Sequence, residues 1–108
     1  MRGIYEKYTT NQDVASQPEK IVMPELSRFL GIVIYMYFNE HNPPHFHAEY
    51  NEYNAAISIN TLGVIEGKLP SKVLSLVVEW AQDHQEELLE NWNNIKETGS
   101  YHKIKPLV

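Results

Sequence analysis

HFHAEYNEYNAAISI, residues 45–59, is the part of the sequence that predicts a β-sheet, because polar and apolar residues alternate over its first six positions. A strand over His45–Tyr50 directs alternate side chains to opposite faces of a sheet. One face then carries His45, His47 and Glu49, and the other carries Phe46, Ala48 and Tyr50. Asn51-Glu52 predicts a tight turn, since Asn tolerates a positive φ. Residues 53–59 are therefore predicted to return as the second strand of a hairpin.

Further strands are predicted on both sides of this hairpin. Phe29–Phe38 is apolar, β-branched and aromatic, and it is too short and uncapped for a helix, which indicates a buried strand. Pro43-Pro44 follows it, and proline cannot donate to a strand ladder. After the hairpin, a turn through residues 60–63 leads to a short strand at Val64–Lys68. The sequence predicts an antiparallel meander of four to five strands between Phe29 and Lys68.

The pattern changes to a helical period after Pro70. Apolar positions recur at steps of three and four, at Leu74, Val77, Ala81, His84, Leu88, Trp92 and Ile95. We expect one long C-terminal helix, from Pro70 to about Asn93 or Asn94, packed across one face of the sheet in an α+β fold. His84 lies in the apolar stripe, where a core histidine with one hydrogen-bonded ring nitrogen is the expected role.

Length and composition predict one domain. The chain has 108 residues, 43% of them apolar, which is enough for one hydrophobic core and too few for two ordinary domains. Residues 1–22 are polar and without sustained period, which predicts a partly ordered N-terminal extension before a single domain at residues 23–108. Neither an export signal nor a membrane-spanning run is evident, so we expect a cytoplasmic protein that does not bind membranes.

Charge and cysteine content restrict the chemistry. Fourteen acidic and nine basic residues give a formal charge of −5, which disfavours RNA as a partner held mainly through its phosphates. The chain has no cysteine, so disulfides, thiolate metal sites and cysteine nucleophiles are excluded. Histidines and carboxylates remain as metal ligands and as general acids or bases.

The histidine cluster predicts a metal site as one interpretation. Three imidazoles and a carboxylate occur within nine residues, at His41, His45, His47 and Glu49. The alternate strand positions of two of the histidines give them a fixed separation, so that they could converge on one divalent ion such as zinc. A site of this kind with an open position would support metal-assisted hydrolysis.

Two other interpretations need no metal. His45 and His47 could serve as general base and general acid in RNA cleavage, with Arg28 or Lys68 stabilising the phosphate. Alternatively, the histidines only satisfy backbone groups near the two prolines, or form the solvated face of an edge strand, in a protein that docks a partner without catalysis. The residues alone leave all three interpretations open, and a homo-oligomer is compatible with each.

Several strings together resemble a known family. They include HNPPHFHA at residues 41–48, Glu79-Trp80, Asn91-Trp92 and, at the end of the chain, IKPL at residues 104–107. The sequence from Met23 to Val108 is similar to the bacterial family called domain of unknown function 4160. Two features depart from the family pattern, namely the extra stretch before Met23 and Asn51 at a position where glycine is expected.

The resemblance implies a cellular context rather than an activity. Members of the family resemble small proteins encoded beside antitoxin-like partners. It therefore implies a component of a toxin–antitoxin module with a small antitoxin-like protein as partner. Combined with the histidine cluster, this gives the hypothesis of a ribonuclease-like toxin, with a non-catalytic interaction or metal-binding domain as the alternative.

Overall fold

The computed structural model describes residues 23–108, which form one five-stranded antiparallel sheet followed by two helices. The N-terminal extension at residues 1–22 lies outside the described residues. The strands lie side by side in chain order as β1 (Glu25–Phe29), β2 (Ile32–Tyr35), β3 (His45–Tyr50), β4 (Tyr53–Ser58) and β5 (Val64–Lys68). The helices are α1 (Ser71–Gln82) and α2 (Gln85–Thr98). The α+β class and the antiparallel meander are thus confirmed.

The apolar run Phe29–Phe38 is not one strand, because a tight turn at Leu30-Gly31 divides it. Both turn residues have positive φ, 52° for Leu30 and 79° for Gly31, a combination that suits a two-residue hairpin turn. Phe29 pairs with Ile32 directly across this turn. The prediction of a single strand was wrong because Leu30 continues the apolar pattern at a position that belongs to the turn.

The central hairpin forms as its alternation predicts. His45–Tyr50 pairs residue by residue with β4, and the Asn51 backbone takes the positive φ of 53° that the turn needs. Phe46 and Ala48 are completely buried, at 0% exposure each. The histidines between and beside them therefore face the other side of the sheet.

The prediction of one long helix was wrong, because the helix is interrupted at Asp83-His84. His84 has φ −133° and ψ 20°, which is not a helical conformation, and its N–H donates to the carbonyl of Ala81 at 2.9 Å. The side chain of the next residue, Gln85, is bonded to the segment just beyond β4, where its Nε2 donates to the carbonyl of Ile59 at 2.7 Å. Within residues 23–108, neither helix is long and apolar enough to cross a membrane.

The hydrophobic core lies between the two helices and the sheet face that carries Phe46. The Trp80 ring of α1 lies 5.6 Å from the ring of Phe29 and 6.1 Å from that of Phe46, between centroids. The C-terminal tail closes the core, because the Ile104 N–H donates to the carbonyl of Leu26 and Trp80 Nε1 donates to that of Lys105. The opposite face of the sheet, called here the outer face, carries the histidines of β3.

Candidate metal centre

Two histidines of β3 share the outer face. His45 and His47 are two residues apart on the strand, so the pleat directs both side chains to the same side. His47 lies directly between Tyr35 of β2 and Ala56 of β4. The imidazole centroids are 5.2 Å apart. The strand therefore supplies a fixed pair of imidazoles.

Glu40 joins this pair from the loop between β2 and β3. One carboxylate oxygen, Oε1, lies 2.9 Å from Nε2 of His45 and 2.5 Å from Nε2 of His47. The three side chains are partly buried, at 11%, 16% and 23% exposure for His45, His47 and Glu40. Their ligand atoms all lie within 4.8 Å of one another, which makes Glu40, His45 and His47 the one such group of metal-ligand side chains found in residues 23–108. We call these three residues the triad.

The proline loop determines the tautomer of His45. Its Nδ1 lies 2.7 Å from the carbonyl oxygen of Pro43, which only accepts hydrogen bonds, so Nδ1–H is the donor. A neutral imidazole has a single N–H, and Nε2 then carries a lone pair. Nε2 can therefore donate to Glu40 only when both ring nitrogens carry a proton, and in the neutral ring it presents a lone pair to the carboxylate oxygen. Two electron-rich atoms at 2.9 Å repel each other unless a proton or a metal ion lies between them.

Aromatic rings orient the triad. The Tyr35 ring stacks on His47 at 5.2 Å, and the Tyr37 ring meets the same imidazole edge-on at 4.8 Å. Trp92 of α2 lies 5.1 Å from the His45 ring. Lys96, one turn further along α2, donates to the backbone carbonyl of Glu40 at 3.3 Å. The ring packing restricts the imidazole rotamers, and the lysine ties the Glu40 loop to the helix.

The electrostatics favour an ionised Glu40 carboxylate beside a neutral Tyr35. Burial opposes ionisation of Glu40, but the hydrogen bonds and charges of His47 and His45 outweigh it and lower the pKa of the Glu40 carboxyl. Burial, together with Tyr37 and the neighbouring carboxylates, raises the pKa of the Tyr35 hydroxyl. At neutral pH the triad therefore presents one negative charge and two imidazoles, with Tyr35 as an uncharged neighbour.

The other two ligands suggested by the sequence lie outside the triad. His41 is exposed in the loop before the prolines. Glu49 is also exposed and faces the same side as His47, but it stands in the next row of the sheet, opposite Val33 and Asn54. Neither residue belongs to the group of ligand atoms around Glu40.

The two candidate phosphate-binding residues lie on the outer strands, away from the histidines. Arg28 of β1 forms an ion pair with Glu25, at 2.8 Å between Nη2 and Oε1. Lys68 of β5 is exposed and pairs across the sheet with Asn54. Each is two strands from β3, roughly 10 Å at the usual strand spacing. Within the described residues, no hydrogen bond or ion pair joins either one to His45 or His47.

The remaining histidines form a separate arrangement at the helix junction. His84 packs against Trp80 at 5.2 Å between ring centroids, and its Nδ1 lies 2.5 Å from Oε1 of Glu87. One ring nitrogen is thus satisfied, as expected for a core histidine, although the residue is the N-cap before α2 rather than part of a continuous helix. His102 lies 3.9 Å from the other oxygen of Glu87. These residues do not contribute to the triad.

Comparison with known proteins gives a family. The model of the family described as Domain of unknown function (DUF4160) matches residues 31–93, more than half of the chain. The chain belongs to this family. All three triad residues of this DUF4160 domain lie inside the matched region. The search of curated proteins and the search of solved structures each found no match.

Glu40 is the residue of the DUF4160 site that sequence reasoning missed. It lies in the connection before the two prolines, outside the alternating stretch, so strand periodicity says nothing about it. A usable signal exists in the loop itself. A chain that reverses direction between two antiparallel neighbours returns beside its own start, which brings a carboxylate five residues before His45 back to the strand.

Proposed function

We propose that this DUF4160 chain is a divalent-metal-binding domain in which Glu40, His45 and His47 hold the ion and an ion-bound water is activated for hydrolysis. The convergence of the two histidine Nε2 atoms on one carboxylate oxygen carries the proposal. Two imidazoles and one carboxylate suit zinc, or iron(II) with positions left open. Three protein ligands leave a position for water, whose pKa falls to about 7 on zinc.

The triad can hold such an ion once its spacing changes: the carboxylate oxygen has to move away from the two nitrogens, and the nitrogens, which lie within 4.8 Å of each other, have to be roughly 3.3 Å apart. Ligands at about 2.0–2.1 Å from a tetrahedral zinc are roughly 3.3 Å apart. The oxygen of Glu40 lies 2.9 Å and 2.5 Å from the two nitrogens, so it would withdraw by less than about 1 Å as an ion enters. Glu40 stands in a loop between strands, where this movement strains no ladder. A supporting hydrogen bond is also present, because the Pro43 carbonyl accepts from Nδ1–H of His45 and leaves Nε2 as the ligand atom.

Metal analysis and calorimetric titration of the full chain test the proposal. Protein produced without a histidine tag and stripped with chelator is expected to bind about one Zn²⁺ per chain. Glu40→Gln and His47→Ala should each weaken binding by at least about tenfold, because a ligand lost from the ion costs no less than a lost supporting group. The matched controls are Glu49→Gln and His41→Ala, which should leave the affinity unchanged.

The two control variants show whether a loss of zinc affinity is specific to the triad. They lie in the same motif and remove the same chemical groups, but the structure places them outside the triad. Absence of stoichiometric binding by the wild type would overturn the proposal. So would a loss of affinity in His41→Ala or Glu49→Gln with none in Glu40→Gln.

A ribonuclease-like toxin is the second candidate function. A carboxylate bonded to a pair of histidines is an arrangement that can pass a proton without a metal, and Arg28 and Lys68 share the outer face with His47. The toxin–antitoxin context and a small antitoxin-like partner rest on the resemblance of the sequence. Bacteria induced to make the wild type should stop growing, and those making the His45→Ala/His47→Ala variant at equal soluble level should not. Equal growth of the two cultures would count against this candidate.

A further inference from the structure

A depression lies beside the triad on the outer face of the sheet. Tyr35, His47, Ala56 and Glu66 form one row across β2, β3, β4 and β5. Ala56 has the smallest side chain in the row. The protein surface is therefore lower at Ala56 than at the His47 imidazole on one side and the Glu66 carboxylate on the other. The resulting cavity measures about 340 Å³ and is also lined by Tyr37 and Asn54. We call it the outer depression.

His47 belongs to both the triad and the outer depression. Its Nε2 faces Glu40, while its ring forms part of the depression wall together with the tyrosines. The Tyr35 and Tyr37 rings are 5.6 Å apart at 88°, so they present a face and an edge at right angles to each other. A molecule seated in the depression would therefore adjoin the residue that we assign to the metal.

The lining of the outer depression suits a positive charge. Glu66 supplies an exposed carboxylate on β5, and Tyr37, which is only partly buried, supplies an aromatic ring that can attract a cation. Asn54 supplies a carboxamide oxygen that can accept a hydrogen bond from an ammonium or guanidinium group. No lysine or arginine is among the residues that line it. A phosphate placed here would face Glu66 and, past His47, Glu40, and would be repelled by both.

We propose that the outer depression binds an ammonium or guanidinium group. This proposal rests on the proposed metal function. It implies that the substrate hydrolysed at the triad carries a basic group next to the bond that is cleaved. The edge of the depression is held in place by Gly67, which adopts φ 78° and approaches so closely that an added Cβ would lie 2.3 Å from the Asn54 carbonyl oxygen. The position of Glu66, its neighbour, is accordingly set by a tight backbone contact.

A matched pair of small probes tests this proposal on the full, metal-free chain. Argininamide and citrullinamide, both acetylated on the α-nitrogen so that neither carries an α-ammonium, are the two probes: the first has a guanidinium group, and the second has nearly the same shape without a charge. In NMR titrations, argininamide should shift the backbone resonances of Ala56 and Gly67 and bind at least about fivefold more tightly than citrullinamide. Glu66→Gln should weaken argininamide binding by at least about fivefold, whereas Glu52→Gln, an exposed carboxylate in the turn after β3, should not.

The outcomes separate this proposal from that of the metal site. Glu40→Gln is expected to lose zinc and keep argininamide, because the two probes use different carboxylates. Equal binding of the two amides would overturn the proposal. Inorganic phosphate that shifts the same resonances and displaces argininamide would also overturn it, in favour of a phosphate-bearing ligand.

Discussion

Asn91 fastens the C-terminal tail to α2, and its removal should be costly. The side chain is fully buried, at 0% exposure. Its Nδ2 donates to the carbonyl of His102 at 2.9 Å, and its Oδ1 accepts from the N–H of the same residue at 2.9 Å. Asn91→Ala removes both bonds and leaves two backbone groups without these partners. At about 1 kcal/mol for each bond, and somewhat more for a buried group left unpaired, we expect a loss of roughly 2–4 kcal/mol in the free energy of unfolding.

Urea denaturation followed by circular dichroism measures this loss. The same change should lower the Tm by roughly 10–30 °C, as expected for a domain of this size. Asn93→Ala is the matched control, because it makes the same change two residues further along α2 at an exposed site, and it should cost less than about 0.5 kcal/mol. If Asn91→Ala were no more destabilising than Asn93→Ala, the reasoning about the buried tail contact would be refuted.

Two further predictions concern the first hairpin. Leu30→Asn should raise the free energy of unfolding by about 0.5–1 kcal/mol, because Leu30 has a φ of 52° and an Asn-Gly pair is preferred in such turns. Urea denaturation measures this change. A variant less stable than the wild type would contradict the turn assignment. The hydrogen bond from Arg28 lowers the pKa of Glu25, so their pair stabilises the fold above pH 4.5 and this stabilisation is lost as pH falls through the lowered pKa. The stability difference between wild type and Arg28→Met should therefore narrow between pH 7 and pH 3, and a difference that stays constant with pH would be inconsistent with the ion pair.

The candidate site was only partly predictable from the sequence. Alternation along β3 was sufficient to place His45 and His47 together, because the pleat leaves no other arrangement for residues two apart. The same rule groups Glu49 with them, yet a shared face does not bring side chains to one point. Glu40 does reach that point, and its position depends on the path of the loop through Pro43 and on contacts from α2.

The interruption of the helix, like the position of Glu40, depends on long-range contacts that the local sequence pattern does not show. The apolar stripe from Leu74 to Ile95 continues in phase across the break, and no glycine or proline lies between Gln82 and Gln85. The helix nonetheless ends because His84 turns out of helical geometry where Gln85 bonds the backbone just beyond β4. Periodicity predicts which face is buried, and it contains no information about a bond to another part of the chain.

Periods of two and of about 3.6 residues along the chain were enough to predict the α+β class, an antiparallel meander and the position of His45 and His47 on one face of a strand. Tertiary structure alone decided that Leu30 forms a turn, that the helix is divided at His84, and that Glu40 completes the triad. Each of these depends on contacts between residues from different parts of the chain, or on a backbone conformation that the local composition does not reveal.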